Sequence, residues 1–117
     1  MKKVYYLSTC DTCKRILNEL NLSSEFILQD IKTNPITEEQ LSALYKGCGS
    51  YEALLNKRAR LYKEKGYKDK KLSENEIKQL LLEHYTFLKR PVIIFEEQLF
   101  IGNSKKTVSE ALKAIHG

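Results

Sequence analysis

The stretch Val4-Tyr5-Tyr6-Leu7-Ser8-Thr9-Cys10-Asp11-Thr12-Cys13-Lys14 decides how this chain is read. Its first residues are β-branched, aromatic and aliphatic, which suits a pleated strand and predicts one over about Lys3 to Leu7. Beyond Cys13, the residues Ile16, Leu17 and Leu20 share one helical face, which predicts a helix ending near Leu20 to Leu22. The two cysteines therefore stand where a strand becomes a helix, with Cys10 at or just before the helix N-terminus. Free N–H groups and the helix dipole favour a negative sulfur there, and thiolate is the reactive form of cysteine. The spacing to Cys13 is about one turn, close enough for the second thiol to resolve a mixed disulfide on the first or to bond with it. Two plainer readings stand beside this one: a pair of small buried hydrophobes, and half of a zinc site. Zinc needs two further ligands, and Cys48, His84 and His116 form no second closely spaced pair. We expect no metal.

Working outward, Glu25 to Ile31 alternates well enough for a second strand, and Asn34-Pro35 breaks the chain. Thr37 with Gln40, and Ser73 with Glu76, have the spacing of capping boxes and predict helix starts. Gly47 and Gly49 are read as ending the first of these helices, with Cys48 in a loop between them. Shorter helical stretches are predicted over about Tyr51 to Leu55 and Arg60 to Lys65, the latter closed by Gly66. The helix after Ser73 carries Ile77, Leu80, Leu81 and Leu82. Pro91 then introduces Val92-Ile93-Ile94-Phe95, a turn at Glu96-Glu97 leads into Leu99-Phe100-Ile101, and Thr107 to Ile115 forms a final amphipathic helix.

The order is βαβ, a helical insertion, then ββα. A βαβ unit needs a parallel, right-handed crossover, and the terminal hairpin adds antiparallel strands. This predicts an α/β protein with a mixed four-stranded sheet and helices on both faces, the thioredoxin-like topology. We expect one domain over residues 1–117 with the helical insertion at about 37–85.

A chain of 117 residues has room for one ordinary core. With 42% hydrophobic and 30% charged residues it is globular rather than disordered. Three cysteines, an odd number, argue against a secreted disulfide framework. No apolar run approaches the ~20 residues of a membrane span, and the two lysines and four apolar residues of Val4-Tyr5-Tyr6-Leu7 that open the chain are too short for a signal peptide. The expected location is the cytoplasm, with no membrane partner. The formal net charge is +5, and basic residues crowd between Lys57 and Lys71. Such a run attracts phosphate, nucleic acid or an acidic protein surface, or is simply a solvated helix face.

Arg58, Arg60 and Arg90 are the candidate anion binders, because a guanidinium offers planar forked donors to an oxyanion. Cys48 is either a third redox thiol or a bystander. His84 and His116 come late in predicted helices, where an imidazole suits the negative end, and neither is assigned a catalytic role.

These residues resemble the ArsC/Spx family of thioredoxin-fold proteins, which includes glutaredoxin-linked arsenate reductases and the Spx regulators. The likeness covers nearly the whole chain: the Cys10 loop, Asp30-Ile31-Lys32-Thr33-Asn34-Pro35-Ile36-Thr37, Leu55-Asn56-Lys57-Arg58, Leu88-Lys89-Arg90-Pro91-Val92-Ile93-Ile94, and Ile101-Gly102. The resemblance implies that Cys10 is the nucleophile. It implies Arg58 as the first oxyanion arginine, with Arg60 a rival placement, and Arg90 as the second, beside Pro91 in cis. Cys13 matches the second cysteine of the Spx redox switch. Two positions depart from the reductases: a third arginine after the last strand is replaced by Asn103, and a histidine four residues before the nucleophile by Tyr6. Asn103 could still donate one hydrogen bond to an oxyanion.

The resemblance implies two functions. The preferred one is an arsenate reductase-like thiol oxidoreductase acting on a small oxyanion or a glutathione adduct. It would hold no bound cofactor and draw electrons from glutathione with glutaredoxin, or from thioredoxin. The alternative is an Spx-like regulator that contacts RNA polymerase through its alpha subunit and is switched by a Cys10–Cys13 disulfide. Direct sequence-specific DNA binding is not expected.

Overall fold

The computed structural model describes residues 1–117. Its strands are β1 (Lys2–Tyr6), β2 (Ile27–Asp30), β3 (Val92–Phe95) and β4 (Gln98–Ile101). Its helices are α1 (Asp11–Leu20), α2 (Glu38–Cys48), α3 (Arg60–Glu64), α4 (Glu74–Glu83) and α5 (Lys105–His116). The chain divides into two compact units, residues 1–34 with 90–117, and residues 35–89.

The first unit holds the whole sheet, in the order β2-β1-β3-β4. β1 and β2 run parallel, joined through α1, while β3 lies antiparallel to both β1 and β4. This mixed four-stranded sheet is the expected thioredoxin-like arrangement. Val4 and Ile93 point from the sheet into a core completed by Ile16 and Leu20 of α1 and by Val108 and Ala111 of α5. Burying the larger of these aliphatic side chains is worth roughly 1.5–3 kcal/mol each before entropy is subtracted. Tyr6 also packs against this cluster, so its ring serves the core. At the far end of α1, Asn21 takes the left-handed conformation at φ 46° and closes the helix, its N–H bonding to the carbonyl of Asn18.

β2 is shorter than the predicted 25–31. It is an edge strand, and its Ile27 and Leu28 are exposed, so the alternating pattern there does not mark a half-buried face. Before it, the Phe26 N–H turns back to the carbonyl of Ser23, and Glu25 instead pairs with Lys2. The hairpin turn falls at Glu96-Glu97, where Glu96 adopts φ 57°.

The second unit contains α2, α3 and α4 with three short 3-10 turns, at Glu52–Leu54, Tyr67–Asp69 and Tyr85–Phe87. Both capping boxes form: Thr37 Oγ1 accepts the Gln40 N–H, Ser73 Oγ accepts the Glu76 N–H, and each partner side chain reaches back. Gly47 does not end α2. The helix continues through Cys48 and closes only at Gly49, left-handed at φ 76°. Cys48 is therefore a last-turn residue rather than a loop residue, and its thiol donates to the carbonyl of Ser50 at 3.2 Å. An interior glycine costs only ~1 kcal/mol, which the continuing helix outweighs. Tyr67 meets Tyr62 at a tilt and Phe87 edge-to-face, with centroids 5.9 and 6.4 Å apart. No helix is long and apolar enough to cross a membrane.

Candidate active site

Cys10 is the N-cap residue of α1, extended at φ −99° and ψ 112°. Its N–H bonds back to the carbonyl of Leu7 at 3.0 Å, and its own carbonyl accepts the Lys14 N–H at 3.1 Å. The loop is thus locked at both ends by backbone bonds, and the half-buried thiol meets the start of the helix. Burial by itself pushes the Cys10 thiol up. The N–H of Cys13, the Cys13 thiol, the charge of Arg90 and the N–H of Thr12 together outweigh it and hold the thiol below its ordinary value. The N–H groups of Thr12 and Cys13 are among the free donors that any helix start presents.

Cys13 has the opposite environment. It is fully buried at 0% exposure, and burial pushes its thiol up to about 11; donation from the Leu7 N–H works against this, and the neighbouring Cys10 adds to it. The two thiols hydrogen bond to each other, and both are free in this structure. One turn of helix therefore carries a half-buried low thiol and a fully buried high one.

Arg90 immediately precedes Pro91, and the bond between them is cis. Its guanidinium lowers both thiols, so Cys10, Cys13 and Arg90 act on one another within the first unit. Pro91 also receives the Gly102 N–H on its carbonyl at 2.9 Å. That bond ties the loop carrying Asn103, which is itself exposed, to the cis-proline segment.

Arg58 and Arg60 belong to the second unit, and both are exposed. Asn56 organises their approach. Its N–H bonds to the carbonyl of Phe87 at 2.7 Å, and its Oδ1 accepts the Arg58 N–H at 3.1 Å. Arg60 opens α3, one residue past its N-cap Ala59.

Asp30 is a residue that the sequence reading passed over. Its Oδ2 accepts the Ser8 hydroxyl at 2.6 Å, and its Oδ1 accepts the N–H groups of Ser8 and Lys32, each at 3.2 Å. The Ser8 hydroxyl bond is the main reason its carboxyl sits below the usual aspartate range. The signal was the parallel register: Tyr6 pairs with Asp30, so the strand end before the Cys10 loop must lie beside Asp30. The histidines have structural partners. His84 Nδ1 accepts the Thr86 N–H at 3.0 Å, and His116 Nε2 meets the carbonyl of Leu20 at 2.5 Å, at the negative end of α1. No group of three or more His, Cys, Asp or Glu side chains is placed to hold a metal ion.

A strand, a cysteine N-cap, a cis-proline and a β2-β1-β3-β4 sheet define a thioredoxin-fold thiol protein. The chain belongs to the ArsC family, whose model matches residues 5–111. It is 25% identical over 114 residues to the global transcriptional regulator Spx 2 of Bacillus cereus, covering 93% of this chain and 85% of that one. A solved structure from Streptococcus mutans, described as a possible arsenate reductase, is 25% identical with a TM-score of 0.68, covering 90% of this chain and 92% of that one. Arsenate reductase from Vibrio cholerae, at 20% identity and a TM-score of 0.74, covers 96% and 97%; at that identity the likeness concerns the fold alone.

Proposed function

We propose that this chain is a cytoplasmic thiol redox protein of the arsenate reductase type, with Cys10 as nucleophile and Cys13 as resolving partner. The observation that carries the proposal is the split within one turn of α1: Cys10 lowered by N–H donors and Arg90, Cys13 pushed up to about 11 by burial. In this reading Arg90, Arg58 or its rival Arg60, and Asn103 receive the oxyanion.

The chemistry follows from that split. The Cys10 thiolate attacks the arsenic(V) of arsenate, forming an S–As bond and releasing hydroxide, which a proton converts to water. A second thiolate then attacks the Cys10 sulfur. The S–As bond breaks, its electron pair moves to arsenic, arsenic falls from V to III, and the two sulfurs become a disulfide. The second thiol is Cys13 or glutathione. Cys13 is held protonated chiefly by its burial, and the neighbouring Cys10 adds to this. Glutaredoxin or thioredoxin would then reduce the disulfide. With a glutathione mixed disulfide, the Cys10 thiolate attacks one sulfur, the S–S bond breaks and the other sulfur leaves as a thiolate; the second thiolate then attacks the Cys10 sulfur, releasing the remaining thiolate and leaving a disulfide.

A second reading is favoured by the regulators among the relatives: an Spx-like protein that binds the RNA polymerase alpha subunit and is switched by a Cys10–Cys13 disulfide. One experiment separates the two. Turnover is measured with arsenate, glutathione and glutaredoxin, beside a pull-down of the purified alpha subunit. Turnover lost in Cys10→Ser supports the enzyme. No turnover together with alpha-subunit capture supports the regulator.

A further inference from the structure

The basic run between Lys57 and Lys71 does not form a uniform solvated face. Within the second unit it surrounds a cavity of about 550 Å³, inside the range of about 300–1,000 Å³ typical of small-molecule sites. Five lysines line it: Lys57, Lys63, Lys68, Lys70 and Lys71. Leu72 and the buried Leu55, Tyr62 and Ile77 give it an apolar floor.

Two carboxylates also reach the cavity, and both already have partners. Glu52 pairs with Lys57 at 3.1 Å. Glu74 accepts the N–H groups of Tyr51 and Glu52 at 2.7 and 3.2 Å. Lys63, Lys68, Lys70 and Lys71 take part in none of the ion pairs of the protein. Lys70 lies over the Tyr67 ring at 5.9 Å and its charge also reaches Glu76, but ammonium groups gathered around one concavity still repel one another, and a polyanion relieves that repulsion. An apolar floor adds a place for a flat, uncharged group. Duplex nucleic acid needs charge along an exposed face, whereas here the charge rings a concavity of small-molecule size.

We propose that this cavity binds a small phosphorylated ligand carrying a flat apolar moiety, of the nucleoside diphosphate class. Its phosphates would meet the four lysines, and its ring would lie against Leu55, Tyr62 and Ile77. The proposal is independent of the chemistry at Cys10.

The test is calorimetric titration of the full chain with ADP, pyrophosphate and adenosine, with amide-shift mapping for ADP. ADP should saturate one site, tighter than either fragment, with shifts centred on residues 55–77. Lys68→Ala/Lys70→Ala should weaken ADP by at least about tenfold, while Lys105→Ala/Lys106→Ala in the first turn of α5 should not. Should the first double variant melt early, Lys68→Gln alone must still show a loss. Absence of saturation, pyrophosphate binding as tightly as ADP, or equal losses in the two double variants would overturn the site. Tighter binding of a short DNA duplex at the same residues would overturn the small-ligand assignment.

Discussion

The carboxylate of Asp30 holds Ser8 two residues ahead of Cys10, taking its hydroxyl at 2.6 Å and its N–H at 3.2 Å. The entry to the nucleophile loop is therefore fixed from β2, not only by its own backbone. Asp30→Asn keeps the shape but loses the charge that shortens these bonds. Because the folded carboxyl is lowered, its stabilisation is present above the ordinary aspartate value, about 4, and is lost as pH falls through the lower folded value. Thermal melts of both proteins should thus differ at neutral pH and converge as the pH drops below about 4. A constant gap across that range would show that the charge contributes nothing.

Arg90→Ala should raise the Cys10 thiol, since the guanidinium is one of the influences lowering it. The pH profile of Cys10 alkylation should shift upward, and sulfate or arsenate binding should weaken. Lys14→Ala, an exposed change in α1, should do neither. Calorimetry at low salt with both variants checks this, and equal losses would point to diffuse charge.

Mild oxidation should join Cys10 to Cys13 and leave Cys48 reduced. The first two thiols already hydrogen bond to each other, while Cys48 donates to the carbonyl of Ser50. Non-reducing peptide mapping reads the outcome. A Cys48-linked peptide as the main product would refute the pairing.

Asn103→Arg should raise arsenate turnover. The loop is tied to Pro91 through Gly102, and a fixed donor at a developing oxyanion is worth on the order of 10²–10³ in rate. Steady-state rates with glutathione and glutaredoxin decide it. Fast turnover by the unaltered chain would mean that the third arginine is dispensable here.

Local signals in the sequence were the most faithful. Thr37 with Gln40 and Ser73 with Glu76 each satisfy a helix start from within one turn, so spacing alone revealed them. The succession of strands along the chain followed from hydrophobic runs and the proline before β3. Features set by distant partners were harder to read. Asp30 and Ser8 are 22 residues apart, and only the Tyr6–Asp30 register brings them together. Of the two glycines read as ending α2, only Gly49 is the left-handed cap, while Gly47 lies inside the helix. The 3-10 turns at Tyr67–Asp69 and Tyr85–Phe87 are too short to carry periodicity. The lysine run gave no hint that its members ring a cavity with an apolar floor.

The central claim is that Cys10 is the reactive thiolate and Cys13 the buried, protonated partner. It is tested most directly by site-resolved alkylation, following each cysteine by mass spectrometry from about pH 5 to pH 10. Cys10 should label with a midpoint below the ordinary thiol value of about 8.5, and well before Cys13 at every pH. Equal or reversed labelling, or a Cys10 midpoint at or above that value, would contradict the account.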